Sequence, residues 1–145
     1  MSCSLDVNIL VYASNTGSDH NGPARTLMDQ LVGSGELVYL PWSTVLGYLR
    51  IATNPRIFRH PLSQEVAQQN VTSLLLLPNV RVLAEAEDFW EHYLAAAKGQ
   101  RVHGAVVPDT ALAALLRQHG IKVLYTADAG FRRFPFLKVI NPFEQ

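Results

Sequence analysis

Cysteine is nearly absent: Cys3 is the only one in the chain. No internal disulfide can form, which suits a reducing cytosol. An excess of either charge is also missing. The 12 basic and 12 acidic residues give a formal net charge of zero. No overall basic field draws in nucleic acid, so any contact with RNA or DNA has to come from a local basic patch. The apolar runs are far too short to span a bilayer. At the N-terminus there is no basic stretch followed by a long apolar run, so a signal peptide is not expected and a cytoplasmic location is. Repeats and low-complexity tracts are lacking. No glycine-rich phosphate loop follows any predicted strand, which argues against a nucleotide cofactor.

What remains is ordinary globular composition. Of the 145 residues 48% are apolar and 17% charged, which predicts one compact domain spanning residues 1–145. Strand-like segments at Ser2–Leu5, Leu37–Leu40, Val80–Leu83, Lys122–Tyr125 and Leu137–Ile140 alternate with helical ones. The helices are expected at Asn8–Ser14, from Pro23 to Gly33, over Trp42–Thr53, from Ser63 to about Leu76, over Glu85–Lys98, and from Pro108 or Asp109 to Gln118. In the third of these, Val45, Leu46, Leu49 and Ala52 are expected to face inward. Phe89, Tyr93 and Leu94 form the apolar side of the Glu85–Lys98 helix. Ala129–Arg133 reads as a short helical turn. The alternation predicts an α/β fold with a central parallel sheet of about five short strands covered by helices on both faces.

Three aspartates recur where such a sheet places its chemistry. Ligands of open parallel sheets bind at the carboxyl ends of strands. Asp6 and Asp128 each lie just beyond the end of a predicted strand, and Asp109 opens the helix packed beside them. Each has a structural reading as well: Asp caps turns and helix starts by bonding nearby backbone amides. If the three meet, their mutual repulsion is relieved by a divalent cation. An oxygen-only donor set selects Mg²⁺ or Mn²⁺ over zinc. Such an ion binds a phosphate oxygen and acidifies a bound water.

The order of these motifs resembles the PIN-domain family, and within it the VapC-type toxin ribonucleases. The resemblance runs over nearly the whole chain. It is carried by Leu5-Asp6-Val7-Asn8-Ile9-Leu10-Val11-Tyr12-Ala13, by Leu40-Pro41-Trp42 with Leu49-Arg50-Ile51-Ala52-Thr53-Asn54-Pro55-Arg56-Ile57-Phe58, by Pro108-Asp109-Thr110-Ala111-Leu112-Ala113-Ala114-Leu115, and by Tyr125-Thr126-Ala127-Asp128-Ala129-Gly130-Phe131. Arg132-Arg133-Phe134-Pro135 and Asn141-Pro142 follow the last of these. The resemblance implies a three-layer α/β/α domain and a metal-dependent endoribonuclease. It implies Mg²⁺ or Mn²⁺ held by Asp6 and Asp109, with Asp128 completing the acidic pocket and Asn8 and Thr126 orienting carboxylates or water. It further implies in-line attack by water that leaves a 5′-phosphate and a 3′-hydroxyl, a VapB-type antitoxin as partner, a homodimer, and larger toxin–antitoxin assemblies. Two positions depart from the pattern. Gly47 stands where many relatives carry a glutamate, and Gly130 where many carry an aspartate. They motivate the alternative of a catalytically weakened PIN-like module that binds RNA or protein. A response-regulator receiver, which also has an acidic metal pocket, is disfavoured by the lack of an adjacent acidic pair and of a suitably placed lysine.

Arg50, Arg56, Arg59 and His60 fall in one short stretch and read either as a solvated loop or as a rim that contacts substrate phosphates. Arg132 and Arg133 would extend that rim on the other side. Trp42, Phe58 and Phe89 are expected in the core or an interface. His20, His92, His103 and His119 share no spacing and read as surface or loop residues. Cys3 reads as a small buried hydrophobe.

Overall fold

The computed structural model describes residues 2–144. Its elements are β1 (Ser2–Leu5), α1 (Val7–Ser14), α2 (Asn21–Ser34), β2 (Leu37–Pro41), α3 (Trp42–Ala52), α4 (Gln64–Leu75), β3 (Val80–Leu83), α5 (Phe89–Ala97), α6 (Val106–Gln118), β4 (Val123–Tyr125), a 3₁₀ turn (Ala129–Arg133) and β5 (Lys138–Ile140). The five strands form one sheet in the order β3-β2-β1-β4-β5, and every pairing is parallel. This is the three-layer α/β/α arrangement that the alternating pattern predicts.

The strands are short and apolar because both faces are covered. Cys3, Leu5, Val38 and Leu40 turn to one face and join Ile9, Leu10, Leu27, Leu31, Val45 and Tyr48 from α1, α2 and α3. Leu83 and Leu124 join a second core with Leu112, Leu115 and Leu116 of α6 and with Phe131, Phe134 and Leu137. Phe131 and Phe134 are both 1% exposed. Burial of each contributes about 1.5–3 kcal/mol, which anchors the 3₁₀ turn, from within at Phe131 and at its end by Phe134, to the second core.

Local signals explain most element boundaries. Ser63 accepts a hydrogen bond from the Val66 amide at 3.2 Å and caps α4. Gly35 ends α2 in the left-handed conformation at φ 71°, which only glycine adopts without cost. Several expectations need correction. Leu46 is 60% exposed and Leu94 is 51% exposed, so neither faces inward. Periodicity locates an apolar stripe but not its width. The helix expected from Glu85 starts at Phe89, after a turn at residues 87–88. Helix α6 starts at Val106 rather than at Pro108 or Asp109. Pro108 is tolerated in the first turn because its missing amide hydrogen would have no intrahelical partner there. Phe58 is buried and Phe89 packs against the second core, but Trp42 is 44% exposed. His20 is half-buried and packs against the rings of Tyr12 and Phe143, at centroid distances of 4.8 and 4.4 Å. Cys3 is fully buried, and burial pushes its thiol up to about 12.

Strand β1 occupies the centre, with β2 on one side and β4 on the other. The chain leaves β1 toward β2 and β3, and later enters the opposite half of the sheet through β4 and β5. The crevice at the carboxyl ends of β1 and β4 is therefore the topological switch point, where open parallel sheets place their ligand sites.

Candidate active site

Asp6 follows the last residue of β1. Its amide still donates to Tyr125 O of β4 at 3.0 Å, so the sheet ladder fixes its backbone. Its carboxylate then serves two purposes. Oδ1 accepts from the Val7 amide at 2.7 Å, which caps α1. Oδ2 accepts from the Thr126 hydroxyl at 2.7 Å and from Asn8 Nδ2 at 3.3 Å. Capping and functional readings of Asp6 thus coexist in one side chain. At 9% exposure it is a buried charge. Burial pushes its carboxyl above the ordinary value, against the opposing effect of Thr126 and the Val7 amide, and the Asp128 charge adds to the rise.

Thr126 and Asn8 tie the two strand ends together. Besides donating to Asp6, the fully buried Thr126 hydroxyl accepts from Asn8 Nδ2 at 3.2 Å and from the Asp128 amide at 3.0 Å. Asn8 Oδ1 accepts from the Ala127 amide at 3.2 Å. The loop after β4 is thereby held against the start of α1, and every hydrogen-bonding group of the two side chains has a definite role.

Asp128 caps the 3₁₀ turn. Its Oδ1 accepts from the Gly130 amide at 2.7 Å. A Cβ on residue 130 would lie 2.9 Å from that same oxygen, so the absence of a side chain is what lets the carboxylate fold back this far. Asp109 lies in the first turn of α6 and caps nothing. Its carboxyl is also raised, first by burial, then by the charges of Asp128 and Asp6, while Arg133 pulls it the other way. The three aspartates therefore share one electrostatic environment on the same sheet edge.

The other predicted residues distribute unevenly. Arg50, Arg56 and Arg59 are exposed. Arg59 lines an open hollow of about 530 Å³ with His60 and the Asn15–Gly17 loop, at the far end of α1. An α-helix of that length separates its ends by about 12 Å, so this hollow adjoins the acidic crevice without merging with it. The two adjacent arginines of the last motif diverge. Arg132 pairs with Glu144 at 3.2 Å, whereas Arg133 Nε donates to Gly130 O at 3.0 Å and its charge acts on Asp109. Their adjacency in sequence hides this difference, although the i to i+3 spacing from Gly130 to Arg133 is the eclipsed repeat of a 3₁₀ turn. Gly47 brings α3 close to α1: a Cβ there would meet Val7 Cγ2 at 3.3 Å.

Among the described residues, no group of three or more His, Cys, Asp or Glu side chains stands ready to hold a metal ion. The donor chemistry nevertheless suits a hard cation. Mg²⁺ is commonly bound through one or two carboxylates, with water and substrate phosphate completing its shell. Two mutually repelling carboxyls such as the buried Asp6 and the half-buried Asp109 are the arrangement that such a cation relieves. No helix among the described residues is long and apolar enough to cross a membrane.

Comparison with known proteins places the whole chain in a family. The PIN domain profile matches residues 4–137. Ribonuclease VapC48 of Mycobacterium tuberculosis strain H37Rv is 38% identical over 143 residues, covering 99% of both chains. Ribonuclease VapC43 of the same strain is 33% identical over 140 residues, covering 97% of this chain and 95% of that one. Among solved structures, VapBC2 from Rickettsia felis bound to a DNA fragment from its promoter superposes with a TM-score of 0.69 at 18% identity, covering 97% and 98% of the two chains. The sarcin-ricin loop cleaving toxin VapC20 of Mycobacterium tuberculosis gives a TM-score of 0.64 at 18% identity, covering 90% and 93%. With its acidic motifs gathered at one sheet edge and the match running along almost its full length, the chain belongs to the PIN-domain family, among the VapC ribonucleases.

Proposed function

We propose that the chain is the toxin of a type II toxin–antitoxin system, a Mg²⁺- or Mn²⁺-dependent endoribonuclease that hydrolyses RNA phosphodiester bonds. The observation that carries this reading is the Asp6 carboxylate: buried at the end of β1, fixed by Val7, Asn8 and Thr126, and within the fields of Asp109 and Asp128. Asp6 and Asp109 would hold the cation. When bound, it supplies Lewis acidity toward a phosphate oxygen and a more acidic water. Thr126 and Asn8 keep Asp6 Oδ2 in place, so no reorganisation is needed when substrate arrives. Asp128 holds one oxygen on the Gly130 amide and leaves Oδ2 to accept a hydrogen bond from the attacking water.

The partners follow the same reading. Relatives of this fold are solved as VapBC assemblies, and a VapB-type antitoxin is the partner proposed here, together with a homodimer of the toxin. Trp42 and Leu46, one helical turn apart on α3, are 44% and 60% exposed and supply apolar surface for such contacts. A second reading, an RNA- or protein-binding module with decayed chemistry, is favoured by Gly47 and Gly130, where carboxylates are expected. Calorimetry with Mn²⁺ on the wild-type chain and on Asp6→Ala and Asp109→Ala tests metal binding. Incubation with structured RNA, with and without EDTA, tests cleavage. Cleavage that is abolished by EDTA and by either substitution supports the ribonuclease. Cleavage that persists in the double variant would rule out this mechanism, and Mn²⁺ binding without cleavage would favour the second reading.

A further inference from the structure

The acidic crevice has one neighbouring cation whose orientation is built in. Arg133 closes the 3₁₀ turn that Asp128 opens. Its Nε donates to Gly130 O at 3.0 Å, while the amide of that same Gly130 donates to Asp128 Oδ1 at 2.7 Å. Gln100 Nε2 in turn donates to Arg133 O at 2.7 Å. Gln100 belongs to the α5–α6 connection that leads to Asp109, so this bond ties the arginine's backbone to the segment bearing the third acid. Flanking residues Phe131 and Phe134 are buried at 1% exposure and prevent the turn from rotating. The arginine itself stays exposed, and among the described residues its two terminal nitrogens have no hydrogen-bond partner. Arg132 differs in the respect that matters, because its guanidinium is already paired with Glu144 at 3.2 Å.

A guanidinium anchored through Nε presents its two terminal nitrogens as a fork, the geometry that engages two phosphate oxygens at once. Placed beside carboxylates with no acid of its own to bond, it has no evident structural use for that fork. We propose that Arg133, and not Arg132, contacts the RNA phosphate at the acidic crevice, orienting it and offsetting the negative charge that grows as water attacks. The inference rests on the ribonuclease reading and adds to it a substrate-contacting residue beyond Arg50, Arg56 and Arg59. The contribution of Arg133 to Asp109 is consistent with this position, since its positive field reaches the acid. The same field opposes a second cation nearby, so removing Arg133 affects the two ligands in opposite directions.

The test compares Arg133→Ala, Arg133→Lys and Arg132→Ala with the wild-type chain. Binding is read with a fluorescein-labelled RNA hairpin in EDTA over a range of salt, and cleavage with total cellular RNA and Mn²⁺. Arg133→Ala is expected to weaken hairpin binding about tenfold and to lower the slope of log affinity against log salt by about 0.7–1, as for one lost phosphate contact. Lys at this position restores the slope, because the charge returns, but leaves cleavage at least about tenfold low because the fork does not return. Arg132→Ala leaves the slope unchanged. Mn²⁺ affinity of the free Arg133→Ala chain stays equal or rises. Unchanged hairpin binding and slope in Arg133→Ala, an equal loss in Arg132→Ala, or loss of Mn²⁺ binding along with RNA would each overturn the inference while a cleaving wild type upholds the ribonuclease. A wild-type chain that neither binds the hairpin nor cleaves RNA overturns both.

Discussion

The Thr126 hydroxyl donates to Asp6 Oδ2 at 2.7 Å across 120 positions of sequence. One small side chain thereby couples the carboxyl ends of β1 and β4, the two strands that flank the switch point. The hydroxyl oxygen also accepts from the Asp128 amide and from Asn8 Nδ2, so a methyl group in its place would strand the Asp128 amide and leave Asp6 Oδ2 and Asn8 Nδ2 with only the 3.3 Å bond between them.

Thr126→Val is therefore expected to destabilise the chain by about 1–3 kcal/mol, the cost of stranding buried polar groups. It also removes one of the two bonds that hold the Asp6 carboxyl down, so that carboxyl moves further up. Cleavage is expected to fall about 10- to 100-fold, as when a partner that orients a metal ligand is lost. Thr126→Ser restores both. Urea denaturation and cleavage assays on the two variants provide the check, and a valine variant as stable and as active as wild type would show that the bond is incidental.

The two glycines that break the family pattern are expected to respond in opposite directions. Gly47 lies within α3, where alanine gains about 1 kcal/mol in helix propensity. Its new Cβ would meet only the tip of Val7 at 3.3 Å, which yields by a small movement. Gly47→Ala should stabilise by up to about 0.5 kcal/mol once that contact is subtracted. A Cβ on residue 130 would lie 2.9 Å from the Asp128 oxygen that the Gly130 amide binds. Gly130→Ala should cost about 1 kcal/mol, as when a capping bond is lost. Denaturation midpoints that shift in the same direction for both would contradict this account.

Much of this arrangement is legible without coordinates, and the parts that are not have physical reasons. Ser2–Leu5 and Val80–Leu83 are recognisable as strands because short apolar runs bounded by turn residues have few other uses. Asp6, Asp109 and Asp128 can be placed on one edge because parallel crossovers send every strand end to the same side. What stays hidden is decided by contacts between distant segments. Leu46 lies on the expected stripe of α3 yet is 60% exposed, because the buried face of that turn is taken by Thr44 and Val45. Helix α6 begins before its proline because the first turn does not use that amide. Arg132 and Arg133 are chemically identical neighbours, and contacts with other segments distinguish them: Glu144 pairs with the first, while the second bonds Gly130 and is held by Gln100.

Arg50, Arg56 and Arg59 are exposed and make no ion pair among the described residues. Replacing all three with alanine should leave thermal stability within about 0.5 kcal/mol of wild type, as for other surface changes. If they line the path of the RNA backbone, the salt dependence of RNA binding should flatten by about 2 in slope, roughly 0.7 for each lost single-strand phosphate contact. An unaltered slope would reduce them to solvated loop residues. Arg133 would then be left to contact the RNA backbone without them.

Asp109 gives the sharpest test of the acidic crevice because, among the described residues, no hydrogen bond holds its carboxylate. Burial and the charges of Asp128 and Asp6 raise its carboxyl, and burial raises that of Asp6. A carboxyl raised on folding binds its proton more tightly in the folded chain than in the unfolded one. Below the unfolded value of about 4, both states are protonated and the group has no effect on stability relative to that reference. As pH rises from there through the raised folded value, the unfolded chain has already lost its proton while the folded chain is still losing one, so stability falls. Above the folded value the full penalty persists. Asp109→Asn removes its own penalty and also relieves Asp6 and Asp128 of a like charge. In EDTA the variant should therefore melt about 2 °C higher than wild type at pH 8, with the gap closing toward pH 4. Mn²⁺ should reverse the order at pH 8 by stabilising the wild-type chain through binding. Scanning calorimetry at the two pH values, with and without Mn²⁺, reads all four conditions. A variant no more stable than wild type in EDTA at pH 8 would mean that the three carboxylates are too far apart, or too well solvated, to repel one another.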